Sequence, residues 1–121
     1  MLNTFDKAVL IAQVADNAKG QDIRIYDVQD LSSITGSFVI ITGTTQNHLK
    51  AIGAQIEKYV RSEAGEKPLR IDGATSASWR VYDYGDVIVH IMVDDSRQFY
   101  AIERLWGDAR EIQWSPKSFS I

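Results

Sequence analysis

Cysteine is missing from this 121-residue chain, so disulfides, thiolate zinc sites and cysteine nucleophiles are all excluded. Histidine is nearly as scarce. There are two, too few for an imidazole zinc site unless carboxylates join from elsewhere. Basic clusters are lacking as well: 13 Lys and Arg face 16 Asp and Glu for a net charge of −3, and no Lys/Arg run occurs. A protein that grips nucleic acid by its phosphates needs a basic field to replace the counterions. Direct nucleic-acid contact is therefore expected to be little or none, and work near RNA should pass through a basic protein partner. No apolar run approaches the roughly 20 residues of a membrane span. The opening Met1-Leu2-Asn3-Thr4-Phe5-Asp6 has neither a secretory apolar core nor an Arg-rich transit pattern. A cytoplasmic location without membrane association is the expectation.

A hydrophobic fraction of 45% with 24% charged residues is ordinary for a globular protein. The length suits one domain over residues 1–121, with 115–121 read as a flexible tail. Asn3 or Thr4 is placed to cap a first helix, with Phe5, Val9, Ala12 and Ala15 at helical spacing and Gly20 as its stop. Ile23 to Val28 alternates as a half-buried strand. Phe38 to Thr42 is a short β-branched run that reads as a strand covered on both faces. Thr44 or Thr45 then caps a second helix whose stripe is Leu49, Ile52, Ile56, Tyr59 and Val60, with Gly65 beyond its end. Leu69 to Asp72 is a short strand, and 73–78 a small, polar, mobile loop. Trp79–Tyr84 and Val87–Val93 form a hairpin around Gly85. Ser96 caps a last helix with Phe99, Ile102, Leu105 and Trp106 inward and Gly107 as its stop. An edge strand follows from Glu111. The order implies an α/β fold: one mixed sheet of about five strands flanked by helices.

Most catalytic readings fail on spacing. The strand–Gly43-Thr44-Thr45–helix junction offers backbone N–H groups at a helix start, a generic anion site, but lacks the Gly-rich loop and Lys of a P-loop. Gly36-Ser37 before a strand is how a nucleotidyltransferase site begins. That chemistry needs two or three carboxylates to hold two Mg²⁺ ions, and no Asp or Glu occurs between Asp30 and Glu57. Asp94-Asp95 is the only adjacent acidic pair, and neighbouring strand residues point to opposite faces. His90 shares a strand face with Ile88 and Met92 and has no evident orienting partner for acid–base work. No catalysis, metal or cofactor is expected.

The surplus of aromatic and charged residues from Trp79 to Trp106 suits recognition instead, since Trp, Tyr and Arg dominate interface hot spots. Along the hairpin Trp79, Val81 and Asp83 share one face, and Arg80, Tyr82 and Tyr84 the other. One face must build the core, which leaves the other to present an aromatic patch. Residues 79–113 carry seven acids (Asp83, Asp86, Asp94, Asp95, Glu103, Asp108, Glu111) against four arginines. Such a rim favours a basic partner. A patch of this kind also suits a homodimer through the same surface.

Trp79-x3-Asp83-Tyr84-Gly85-Asp86-x3-His90 followed by Arg97-x-Phe99-Tyr100-x2-Glu103-x-Leu105-Trp106 resembles the signature of the ribosomal silencing factor, or Iojap-like, family. Ile25-x-Asp27-Val28, the strand Phe38 to Gly43, and His48-x2-Ala51-Ile52 sit in matching places, so the resemblance spans nearly the whole chain. Two departures stand out: Gly36-Ser37 where the family commonly has Asp and an aromatic, and Ala101-Ile102-Glu103 where it tends to Asp-Leu-Glu. The first removes any contact made through that Asp. The resemblance implies a nucleotidyltransferase-like topology without the catalytic carboxylates. It also implies a translation regulator that binds the large ribosomal subunit through large-subunit protein fourteen and sterically blocks joining of the small subunit. Alternatives are a large-subunit assembly factor and a degenerate nucleotidyltransferase. The expected functional set is Trp79, Tyr82, Asp83, Tyr84, Asp86, His90, Arg97, Tyr100 and Glu103, with Trp79 and Tyr84 as anchors and Arg97 and His90 ordering the surface from behind.

Overall fold

The computed structural model describes residues 2–33 and 35–119. Asn3 opens α1 (Thr4–Asn17), its side chain accepting from the Asp6 N–H at 2.8 Å. The helix buries Ala8, Leu10, Ile11, Ala12, Val14 and Ala15, and leaves Phe5 and Val9 only half-buried. The segment 8–12 is apolar throughout, so spacing alone leaves the inward face ambiguous by one residue. Lys19, in the left-handed region at φ 71°, turns the chain into β1 (Gln21–Asp27). β2 (Ser37–Gly43) follows, and Thr45 caps α2 (Gln46–Ala64) by accepting from the His48 N–H at 3.1 Å. Gly65 ends that helix at φ 68°, as a left-handed cap does. Then come β3 (Arg70–Asp72), β4 (Trp79–Asp83), β5 (Val87–Val93), α3 (Asp94–Tyr100), a 3₁₀ turn (Ile102–Trp106) and β6 (Arg110–Ile112).

The sheet has six strands in the order β3-β4-β5-β2-β1-β6, against about five expected, the sixth being the short edge strand. β2 and β5 pair in parallel at its centre and every other pairing is antiparallel. A parallel pair needs a crossover, and α2 with β3 and β4 supplies it. α1 and α2 lie together on one face, where Ile25, Val39, Ile41, Val89 and Ile91 meet Ile11, Ala15, Leu49, Ile52, Ile56 and Val60 as one core. No helix among the described residues is long and apolar enough to cross a membrane.

β4 turns its even-numbered side to this core, paired across with the odd-numbered side of β5. Tyr82 and Tyr84 are 0% and 4% exposed, and Arg80 is buried beside them. The expectation that Tyr82 and Tyr84 belong to a presented patch is thus corrected: the helices cover that face. The reason lies in α2. A Cβ added to Gly53 would overlap the Tyr82 Oη and Cζ atoms, so the glycine is the slot that receives the phenol ring. Gly53→Ala should therefore lower stability by about 1–3 kcal/mol by overpacking, despite alanine's helix preference. Urea unfolding tests this, and Tyr82→Phe in the same background should return part of the loss.

The last helix also departs from expectation. Ser96 does not cap it; Val93 stands at the cap without a side-chain bond, and Ala101 breaks the helix at φ 46°. Positions 97 and 103 are separated by about 240° around a continuous helix. The break lets the Glu103 carboxylate return to the Arg97 guanidinium at 3.0 Å. The side chains of Phe99, Leu105 and Trp106, expected inward, lie outside the described residues. The segment read as a flexible tail is docked over 115–119. Gln13 Nε2 donates to the Ser115 carbonyl at 3.0 Å, and the Phe119 ring packs 4.8 Å from that of Tyr59.

Candidate functional site

Strand register assigns a second face, opposite α1 and α2. It carries Trp79, Val81 and Asp83 of β4, Met92, His90 and Ile88 of β5, Thr42, Ile40 and Phe38 of β2, and Arg24 and Tyr26 of β1. α3 lies against β5 and β2, with its last residue, Tyr100, 52% exposed. Rings line up across this face. Phe38 and His90 meet edge-on with centroids 5.6 Å apart, Trp79 lies 5.8 Å from His90, and Tyr100 lies 4.7 Å from Trp79. Such spacings are attractive beyond simple burial.

The Trp79 Nε1–H donates to His90 Nδ1 at 3.0 Å. An indole nitrogen is only ever a donor, so Nδ1 carries the lone pair and the ring is the neutral Nε2–H tautomer. Burial favours the same state, pushing the His90 pKa from 6.5 down to about 4. A base whose folded pKa is depressed is protonated first in the unfolded chain. Stability is therefore intact above about pH 6.5 and declines as the pH falls toward 4. The loss from pH 7 to 5 should be about 1–2 kcal/mol, read as a falling urea midpoint, and His90→Gln should flatten that slope.

Polar groups frame the rings. Arg97, 4% exposed, donates to the Asp22 carbonyl, to Thr42 Oγ1 at 2.9 Å, and to both Glu103 oxygens at 3.0 and 3.2 Å. Glu103 also accepts from the Tyr26 hydroxyl at 3.1 Å, and its bond to Arg97 holds its carboxyl below the usual range. Burial, aided by the Glu103 charge, pushes the Tyr26 phenol up to about 12. This network pins α3 and the 3₁₀ turn to β1 and β2, and so sets Tyr100 over Trp79. Asp94 and Asp95 are exposed at the start of α3. Asp83 accepts from the Gly85 N–H at 2.8 Å, shaping the hairpin turn.

Of the expected residues, Trp79, His90 and Tyr100 come together, Asp83 shares their face, and Arg97 and Glu103 support it from beside. Tyr82 and Tyr84 do not join them. Nor does Asp86, which accepts from Lys7 Nζ at 2.7 Å and Thr4 Oγ1 at 3.0 Å near the start of α1. Burial alone would raise the Asp86 carboxyl, but those bonds outweigh it and hold it below its ordinary value. An acid so engaged is a strut, not a rim. Val81 and Ile88 lie where alternation sets them, with Trp79 and His90 respectively, but Phe38 and Tyr26 were missed as members of the face. Only the pairing of β2 with β5 and with β1 shows that those two share it with Trp79.

A family profile described as "Ribosomal silencing factor during starvation" matches residues 2–120. The chain is similar to the ribosomal silencing factor of Haemophilus influenzae, with 36% identity over 97 residues, 80% of this chain and 94% of that one. It is similar to the one from Halalkalibacterium halodurans, with 32% identity over 104 residues, 86% and 88% of the two chains. A mouse protein named mitochondrial assembly of ribosomal large subunit protein 1 is 30% identical over 84% of this chain and 45% of its own length. In three dimensions the chain is similar to a crystal structure of a protein from Chromobacterium violaceum, with a TM-score of 0.82 and 28% identity over 99% of this chain and 94% of that one.

Proposed function

The chain belongs to the ribosomal silencing factor family, and from that premise we propose that its sheet face opposite α1 and α2 docks on the large ribosomal subunit through large-subunit protein fourteen. The bound domain then occupies space that the small subunit must enter, and translation is repressed by exclusion. The observation that carries this reading is the Phe38–His90–Trp79–Tyr100 row on a face that α1 and α2 leave open. Large, stiff aromatic side chains are the usual anchors of a protein interface. Asp94 and Asp95 beside them suit a basic partner, because complementary charge steers encounter and disfavours acidic competitors. The protein acts in the cytoplasm and without chemistry on this reading. The absence of carboxylates between Asp30 and Glu57 supports the latter, since phosphoryl transfer needs acids to hold its metal ions.

Light scattering of subunit joining is the test. Large subunits preincubated with a saturating excess of the protein should join small subunits much more slowly than untreated ones. Full joining at saturating occupancy would overturn the mechanism. The mouse relative's name favours a second reading, service in large-subunit assembly, which uses the same docking face. It predicts that the protein co-sediments with incomplete large particles in preference to mature ones.

A further inference from the structure

Trp79 and His90 together leave one polar group unaccounted for at the centre of the face. The Trp79 indole occupies His90 Nδ1, which places the imidazole proton on Nε2. Among the described residues none accepts a hydrogen bond from that Nε2–H. The ring is half-buried, set between Phe38 on one side and Trp79 on the other. Its strand-paired neighbours are Ile40 and Val81. A lone donor thus sits in an apolar wall. Water can serve it while the face is open, but a docking partner strips that water away, and an unmatched donor then carries a desolvation penalty.

We infer that His90 Nε2–H is a recognition donor that takes a backbone carbonyl oxygen of the docked protein; this rests on the docking reading above. The occupant follows from charge and availability. Around His90, β4 places Asp83 diagonally across on the same face, and β3 places Asp72 beyond Val81 and Arg70 beyond Asp83. β1 places Arg24 and Tyr26 beyond β2, while α3 and the 3₁₀ turn bring Arg97, Tyr100 and Glu103. Arg24 and Arg97 are both engaged by acids, Asp22 with Glu111 and Glu103 with Asp22 respectively. Arg70, which registers with Asp83, is paired to Asp72 at 3.1 Å, and Asp83 repels an incoming carboxylate, so a neutral acceptor is favoured. Every residue of a docked protein carries a backbone carbonyl, so that is the neutral acceptor most readily presented. The face then selects for an acceptor at one position and for apolar contact around it.

The experiment pairs ¹⁵N-imidazole NMR with three substitutions, using the full chain and purified large-subunit protein fourteen as the probe. In the free protein, His90 should show an unprotonated Nδ1 and a protonated Nε2. On binding, the Nε2 proton should move downfield and exchange more slowly with water. His90→Asn keeps an acceptor near Trp79 but loses the outer donor, and should bind about tenfold more weakly. His90→Gln, which returns an N–H near Nε2, should bind more tightly than His90→Asn. His90→Phe should be at least as weak as His90→Asn. Thermal melts of each variant separate folding loss from binding loss. If the wild-type protein binds but its Nε2 resonance does not move, or His90→Asn binds like wild type, the donor role is wrong and docking stands. If the wild-type protein does not bind the probe at all, the docking reading itself fails.

Discussion

Trp79→Ala should weaken binding to the large ribosomal subunit by about 2–4 kcal/mol, the range of a central hot spot. That is roughly a 30-fold to 1000-fold rise in Kd. The indole is the middle of the row: it stacks with Tyr100 at 4.7 Å and holds His90 through its N–H at 3.0 Å. Removing it takes away contact area, releases Tyr100 and frees the imidazole to change tautomer. Trp79→Phe keeps a ring for Tyr100 but loses the indole N–H, and should fall between wild type and alanine. Tyr84→Phe is the counterpart. That ring is 4% exposed and its hydroxyl is buried without a hydrogen-bond partner among the described residues, so the change should leave affinity untouched and stability equal or slightly higher. Calorimetry or surface capture of large subunits reads both. Equal affinities for Trp79→Ala and wild type, with matching melts, would remove the open face as the docking surface.

Lys7→Ala should cost about 1–3 kcal/mol of folding stability, since it strands two carboxylates that are each about a third exposed and so keep part of their hydration. A domain of this kind commands about 5–15 kcal/mol in all, so the loss should show as a clearly lowered melting temperature. Lys7 is 2% exposed and reaches Asp86 at 2.7 Å and Glu66 at 2.8 Å. One ammonium thereby ties α1 to the β4–β5 turn and to the link after α2. Burial would pull its pKa down, but the two carboxylates outweigh that and hold it above 10.5. Its contribution is present below that value and lost as the pH rises through the raised folded pKa. The depressed Asp86 carboxyl fails at the other extreme, as the pH falls below 3.8. Lys7→Met, which fills the space without charge, should cost less than alanine. A urea midpoint unchanged by Lys7→Ala would show that the triad adds nothing.

The elements themselves were largely legible, because their signals are local. Thr45 and Gly65 bracket α2 where cap chemistry puts them, and β5 runs from Val87 to Val93 as the apolar run indicates. Alternation along Trp79–Asp83 also divides the hairpin correctly into two sides. Which side faces the core was not legible, because the deciding feature is Gly53, on a helix far away in sequence. Both sides carry aromatic residues, so hydropathy offers no preference. Asp86 misled for a related reason. A carboxylate in a motif reads as surface until a lysine from α1 is found on it, and nothing local to Lys7 announces burial. The docked 115–119 segment depends on Gln13 and Tyr59, one contact from each of the two helices, α1 and α2.

The parallel pairing of β2 with β5 sets when the protein becomes able to act. Ser37 lies beside Val87 and Gly43 beside Val93, so the sheet's centre closes only after α2, β3 and β4 have been made. Non-local pairing of this kind is slow and comes after the local elements. The ring row needs still more chain, since Tyr100 must arrive to cover Trp79 and Glu103 must arrive to anchor Arg97. On the docking reading proposed above, a growing polypeptide that has not yet released β5 and α3 has no docking face at all. On that reading the factor cannot engage a ribosomal subunit until the chain through Glu103 has been made, and the fold's connectivity works as a timer on its activity.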